Sequence, residues 1–272
     1  MEVTVQLGMA KYEVDISGPL DLSIPVQFQG KQLSVYQAPP ATSKPYQAPG
    51  FIGSVARGGS CNCDIHTLIP HASGTHTECV GHISDSLISI HETLRDSFLA
   101  ATLVTLQPEK SSESAETYSS ALDRSDLLLT RKSLKAALHQ VESYFLDAVV
   151  IRTIPNAAEK QTRDYNTGGS PFFSTEAMKY LVERNIRHLL VDTPSVDRLH
   201  DEGRLTNHRI FWNVPQGSHH VEKQATSPKT ITELIYAPDS IGDGQYLLNL
   251  QLAPFVADAA PSRPILYKMR AL

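Results

Sequence analysis

Val3, Val5 and Leu7 fall between polar neighbours at the start of the chain, the two-residue period of a strand with one buried face. Extended segments are predicted in the same way over residues 12–16, 24–28, 64–70, 99–106, 246–252 and 265–268. Two stretches follow the helical period instead. Leu134, Leu138, Val141 and Phe145 share one face of a segment beginning near Arg131. Ser174 or Thr175 caps a second helix, with Glu176 in its first turn and Ala177, Leu181 and Val182 on its apolar side. Each helix runs into an apolar, β-branched stretch, residues 148–151 and 188–191. Helix followed by strand, twice over, predicts an α/β centre with parallel pairing. Residues 37–60 are rich in Pro, Gly and Ser and read as a long irregular binding loop carrying Tyr46 and Phe51. Residues 108–120 read as an exposed excursion. No repeat or linker divides the sequence, so one domain is expected over residues 1–272.

Composition narrows the function. With 24 Lys and Arg against 29 Asp and Glu, the net charge of −5 lacks the basic excess of a nonspecific nucleic-acid binder. No apolar run approaches the roughly 20 residues that a membrane helix needs. The first residues lack the pattern of a secretory signal, and three cysteines (Cys61, Cys63 and Cys79) make an odd count, so a reducing, cytoplasmic setting is expected. A small structural zinc site of Cys61, Cys63 and His66 is a minor alternative.

The chemistry concentrates in one window. His66, His71, His76, His82 and His91 lie close together, along with Glu78 and Cys79. If the segment is extended, His76 and Glu78 project from one face and can converge on a cation, while Cys79 turns away as a packing residue. His82 follows Gly81, where the chain can turn back toward the same space. His66 and His91 read as ordinary hydrogen-bonded residues. Other reaction types lack their signatures. There is no Gly-x-Ser-x-Gly, His91-Glu92 lacks the second zincin histidine, and Gly30-Lys31 and Gly242-Asp243-Gly244 fit neither a phosphate loop nor a dinucleotide fingerprint.

Gly74-Thr75-His76-Thr77-Glu78 followed by His82 resembles the signature His-x-Gly-Thr-His-x-Asp-x-Pro-x-His of the cyclase family of metal-dependent hydrolases, which includes bacterial kynurenine formamidases. Asp192-Thr193-Pro194-Ser195-Val196-Asp197, then His208, then Ile231-Thr232-Glu233-Leu234 follow in the family's order, and Asp21-Leu22-Ser23 or Asp15-Ile16-Ser17 resembles its early Asp-Leu-Ser. The resemblance implies a single-domain cyclase-like (swivelling β/β/α) α/β fold with a β-rich core flanked by helices. It also implies a homodimer acting on a small molecule, and one or two Zn²⁺ or Mn²⁺ ions. On it, His76, Glu78, His208 and Glu233 are the metal ligands and His82 is the catalytic proton carrier. The implied reaction is amide hydrolysis of the N-formylkynurenine type, in tryptophan catabolism. Tyr46 and Phe51 are candidates to cover an aromatic substrate.

The sequence departs from the pattern at three positions. Ala72 stands where the family has its first histidine, and in a regular strand the neighbouring His71 would face the other way. Glu78 replaces the motif aspartate and Val80 its proline. His219 and His220 lie in an unusually long stretch before Glu233 and are alternative ligands, with a solvated loop pair as the default. Ala72 also raises a rival reading: a family member that has lost catalysis and serves as a small-molecule binding or assembly protein.

Overall fold

The computed structural model describes residues 1–222 and 227–272. Seven strands close into a barrel: β1 (His76–Glu78), β2 (Phe98–Leu106), β3 (Ala148–Thr153), β4 (His188–Val191), β5 (Thr230–Glu233), β6 (Gly244–Leu252) and β7 (Ala259–Ala271). Hydrogen bonding runs β1–β5–β4–β3–β2–β6–β7 and returns to β1, where Thr77 pairs with Ala260. The pairings among β2, β3, β4 and β5 are parallel and the other four are antiparallel. Parallel neighbours need a crossover, and each of the three carries a helix: α1 (Arg131–Leu138), α2 (Thr175–Glu183) and α3 (Thr206–Trp212). The α/β class and the parallel centre expected from the two helix–strand units are both present.

Alternation along the strands separates two cores. Leu99, Ala101 and Leu103 of β2 meet Ala148 and Val150 of β3, Leu190 of β4 and Leu248 of β6 inside the barrel. The intervening residues Val104, Val149, Ile151, Leu189 and Val191 face outward onto Leu134, Leu138, Met178, Leu181 and Phe211 of the helices. The N-terminal hairpin, Glu2–Leu7 against Ala10–Asp15, extends the sheet by pairing with the far end of β7. No helix among the described residues is long and apolar enough to cross a membrane.

Several elements differ from expectation. Residues 24–28 form no strand, because Pro25 has no N–H to give a ladder and the Ile24 N–H donates to Thr75 Oγ1 at 2.7 Å. The helix begun at Arg131 stops at Leu138, and Phe145 sits on a separate 3₁₀ turn, Ser143–Phe145. Arg184 ends it by donating to the carbonyls of Leu138 and Val141. Residues 37–60 are less irregular than expected, with Thr42–Pro45 paired to Asp64–Thr67 and Gln47–Ala48 to Phe51–Ile52. The excursion after Pro108 is anchored by Tyr118, which is buried.

Candidate active site

The site gathers at the β1–β5 edge of the barrel. His76 and Glu78 share one face of β1, as alternation requires, while Thr77 turns to the hydroxyls of Thr232 and Ser262, each at 2.8 Å. Glu233 of β5 is the direct cross-strand partner of His76, with Oε2 3.5 Å from His76 Nε2. Its Oε1 accepts the Val196 N–H at 2.9 Å. His208 arrives from α3 with Nε2 2.9 Å from Glu78 Oε1. His76, Glu78, His208 and Glu233 are all buried.

Asp197 sets the angle of His208. Its carboxylate accepts the backbone N–H groups of Asn207 (2.7 Å) and His208 (3.2 Å), placing an anion at the start of α3. Oδ2 also accepts from His208 Nδ1 at 2.6 Å, and Tyr118 donates its hydroxyl to Oδ1 at 2.7 Å. With Nδ1 committed as a donor to Asp197, Nε2 is the nitrogen left to face Glu78, and it becomes a ligand atom once its proton is displaced. The same logic applies to His76, whose Nδ1 can only donate to the Gly74 carbonyl at 3.1 Å.

His71 enters the site, against the expectation from a regular strand. Pro70 opens a helical turn, Pro70–Ser73, which swings the ring inward. His71 Nδ1 lies 3.1 Å from Glu78 Oε2, and Nε2 lies 2.8 Å from Asp258 Oδ2. Ala72 is buried instead among Ile24, Val35 and Leu234. The imidazole that Ala72 seemed to remove is therefore supplied one residue earlier. His82, on the 3₁₀ turn Val80–Ile83, lies with its ring centroid 4.3 Å from that of His71 and tilted 33° to it, with Nδ1 3.4 Å from Asp258 Oδ2 and 3.8 Å from Glu78 Oε2.

These neighbours dictate the charge states. Burial opposes the ionised form of Glu78, but the neighbouring His82 and His208 imidazoles outweigh it and hold the carboxyl well below its ordinary range. Burial likewise disfavours a charged His208, yet Glu78 and Asp197 push it well above the usual imidazole value. In His71 the same contest, won by Asp258 and Glu78, lifts the pKa to about 10. Hydrogen bonds from His71 and then His82 hold Asp258 far below an ordinary aspartate.

Among the described residues five buried side-chain N or O atoms have no hydrogen-bond partner, and two of them, His76 Nε2 and Glu78 Oε2, lie together in this site. Leaving a buried polar atom unsatisfied costs roughly 1–3 kcal/mol, so such pairs mark a place built for another group. Imidazole nitrogens and carboxylate oxygens converging on one point suit a divalent cation, which would take the place of the imidazole protons facing Glu78. His71, His76 and Glu78 can each point one ligand atom at a common centre, and so can Glu78, His82 and His208. The residues fit a metal. A cavity of about 650 Å³ opens beside them, bordered by Tyr36, His71, His82, Ser195, His208 and Glu233.

Other candidates lie elsewhere. His219 Nδ1 faces the Ile83 carbonyl at 3.0 Å and His220 is exposed, so neither reaches the cluster; residues 223–226 of that long stretch lie outside the described residues. Asp192 is tied to Lys160 at 2.7 Å, and Asp21 and Asp15 bind their own Ser23 and Ser17. Tyr46 and Phe51 pack on each other, ring centroids 5.9 Å apart, and do not line the cavity. Cys61 and Cys63 are exposed, while His66 stacks on Phe28. No metal-competent group among the described residues includes them. Cys79 is buried, its thiol pushed up to about 11 by desolvation, as befits packing. The sequence left open whether His71 substitutes as a ligand, and gave no sign of Asp258, Tyr36 or Tyr118 as members of the site. Only His71 carried a signal, its place inside the histidine window.

A family model described as "Putative cyclase" matches residues 14–198. Among curated proteins none matches the sequence. Solved structures share the fold. One is a potential metal-dependent hydrolase with cyclase activity, 18% identical with a TM-score of 0.58, the match covering 92% of this chain and 98% of that one. Another is isatin hydrolase A from Labrenzia aggregata bound to benzyl benzoate, 16% identical with a TM-score of 0.60, covering 92% and 93%. A third, isatin hydrolase A from Ralstonia solanacearum, is 16% identical with a TM-score of 0.55, covering 92% and 91%. The family model covers most of the chain and includes the β1 motif and Asp197, and on that ground this chain belongs to the cyclase family.

Proposed function

We propose that this protein is a metal-dependent hydrolase of a small-molecule amide, with an N-formylated aromatic amine as the favoured substrate. The observation that carries the reading is the pair of buried, partnerless ligand atoms, His76 Nε2 and Glu78 Oε2, beside a 650 Å³ cavity. That volume suits a one- or two-ring molecule. The isatin hydrolases of like fold, named for a cyclic amide, support the same bond type.

His76, Glu78, His208 and Glu233 would hold the ion, with His71 in the place of the family's first histidine. Their mixed nitrogen and oxygen set suits zinc or manganese. When bound, the ion supplies a Lewis acid that acidifies water and polarises an amide carbonyl. The protein does the rest. Asp197 and the Gly74 carbonyl hold the two imidazoles by Nδ1, leaving each Nε2 turned inward toward the ion. His82 borders the cavity with Asp258 behind its Nδ1, so its other nitrogen faces the substrate space. There it can take a proton from water and return it to the departing nitrogen, without which an amide leaves poorly.

Metal analysis of the purified protein combined with turnover of a formanilide panel tests the reading. Bound transition metal with turnover is expected, with His76→Ala losing both. His82→Ala should keep its metal and lose at least about 100-fold in kcat. A metal-free protein that binds these amides without consuming them would favour the catalytically silent rival instead.

A further inference from the structure

The turn from Val35 to Ala38, closed by the Ala38 N–H on the Val35 carbonyl at 3.0 Å, has Tyr36 at φ 56° and Gln37 at φ 53°. Two successive positive φ values define the type I′ geometry that normally takes Asn, Asp or Gly. A tyrosine and a glutamine meet steric opposition there, and such backbone persists only where its surroundings over-determine it. They do so here. The Gln37 N–H donates to Asn166 Oδ1 at 2.7 Å, Asn166 Nδ2 donates to Ser34 Oγ at 2.6 Å, and Ser34 exchanges backbone hydrogen bonds with Arg163 and Tyr165.

The turn holds Tyr36 against the cavity that also borders His71, His82, His208 and Glu233. The residue is 46% exposed overall. Its hydroxyl is the desolvated end, and it senses first the charge of Glu233 and then those of Glu78 and Asp197. A phenolic hydroxyl carries its proton at neutral pH, so it is an O–H donor at the cavity wall. Its neighbour within the protein is the Ser195 side chain, which also borders the cavity, so the hydroxyl lies at the cavity wall and is not buried in the core.

We propose that Tyr36 is a catalytic residue that donates its hydroxyl to the carbonyl oxygen of the bound amide, strengthening that bond as the oxygen gains negative charge. The proposal rests on the amide-hydrolase reading and goes beyond it by naming the protein's own donor for the oxyanion. The strained turn has a role in this account, because a preorganised donor must not swing away when the oxygen charges.

The test compares metal-loaded wild type with Tyr36→Phe in steady-state turnover of a formanilide and in binding of a phenylphosphonamidate, a stable mimic of the tetrahedral oxyanion. The variant should keep its metal content and melting temperature and change KM less than about threefold. Its kcat and its affinity for the mimic should both fall roughly 100-fold, the effect of deleting one oxyanion donor. Equal kcat and equal mimic binding in the two proteins would overturn the role of Tyr36 and leave the hydrolase standing. A raised KM with unchanged kcat would also overturn it, by showing a mere packing contact. A metal-loaded wild type that neither turns over the panel nor binds the mimic would remove the hydrolase reading itself, and this proposal with it.

Discussion

Asp197 does two jobs with one carboxylate: it receives the first N–H groups of α3 and it fixes the tautomer of His208. Asp197→Asn can present an amide N–H to His208 Nδ1, which would move the ring proton to Nε2 and aim it at Glu78. Metal affinity should fall about 10- to 100-fold, measured by competition with a chromogenic chelator, with the backbone contacts to α3 weakened but the fold kept. Unchanged affinity would mean that His208 does not ligate. At this scale the sequence was informative where periodicity suffices. His76 and Glu78 meet because alternate residues on a strand must. His71 was hidden because Pro70 converts its segment to a helical turn, and Asp258 because a lone aspartate before the last strand has no spacing that ties it to residues far earlier in the chain.

The elements that place these side chains leave little slack. A Cβ added at Gly81 would lie 2.2 Å from the Ile88 carbonyl and 3.2 Å from Asp258 Cβ, so the glycine is required by close backbone approach. Gly81→Ala should cost about 1–3 kcal/mol in urea unfolding and shift His82 relative to Asp258, lowering turnover alongside stability. Ser174 caps α2 by accepting the Ala177 N–H at 3.0 Å and also binds Glu116. Ser174→Ala should therefore cost about 1–2 kcal/mol with turnover per folded molecule untouched, since no site residue moves. Both helices announced themselves by an apolar face and a capping residue. The end of α1 did not, because Arg184 stops it from a different helix's end.

Across the whole molecule, the class of fold was legible from two helix–strand units, but closure was not. It depends on a three-residue strand, β1, pairing on both sides with strands late in the chain, and short strands carry little periodic signal. The closed barrel buries His188 on the same face of β4 as Leu190, with Nδ1 on Thr230 Oγ1 at 2.9 Å and Nε2 unpartnered. Desolvation, aided by the Arg187 charge, pushes its pKa down to about 4. The unfolded chain takes up this proton near pH 6.5 while the native state refuses it until about 4. Stability should thus decline as pH falls through that window, by on the order of 3 kcal/mol. Urea midpoints from pH 7 to pH 4 should show a steeper loss for wild type than for His188→Asn, which keeps a partner for Thr230. Parallel curves would assign the acid sensitivity to other groups.

Since β7 seals the barrel against β1, the pocket cannot be complete until the residues of β7 have been synthesised. A nascent polypeptide that has already emerged with every imidazole of the cluster still has no enclosure in which to hold an ion, and Asp258 emerges only just ahead of the sealing strand. On the proposed reading, a complete metal site therefore exists only once β7 has closed on β1.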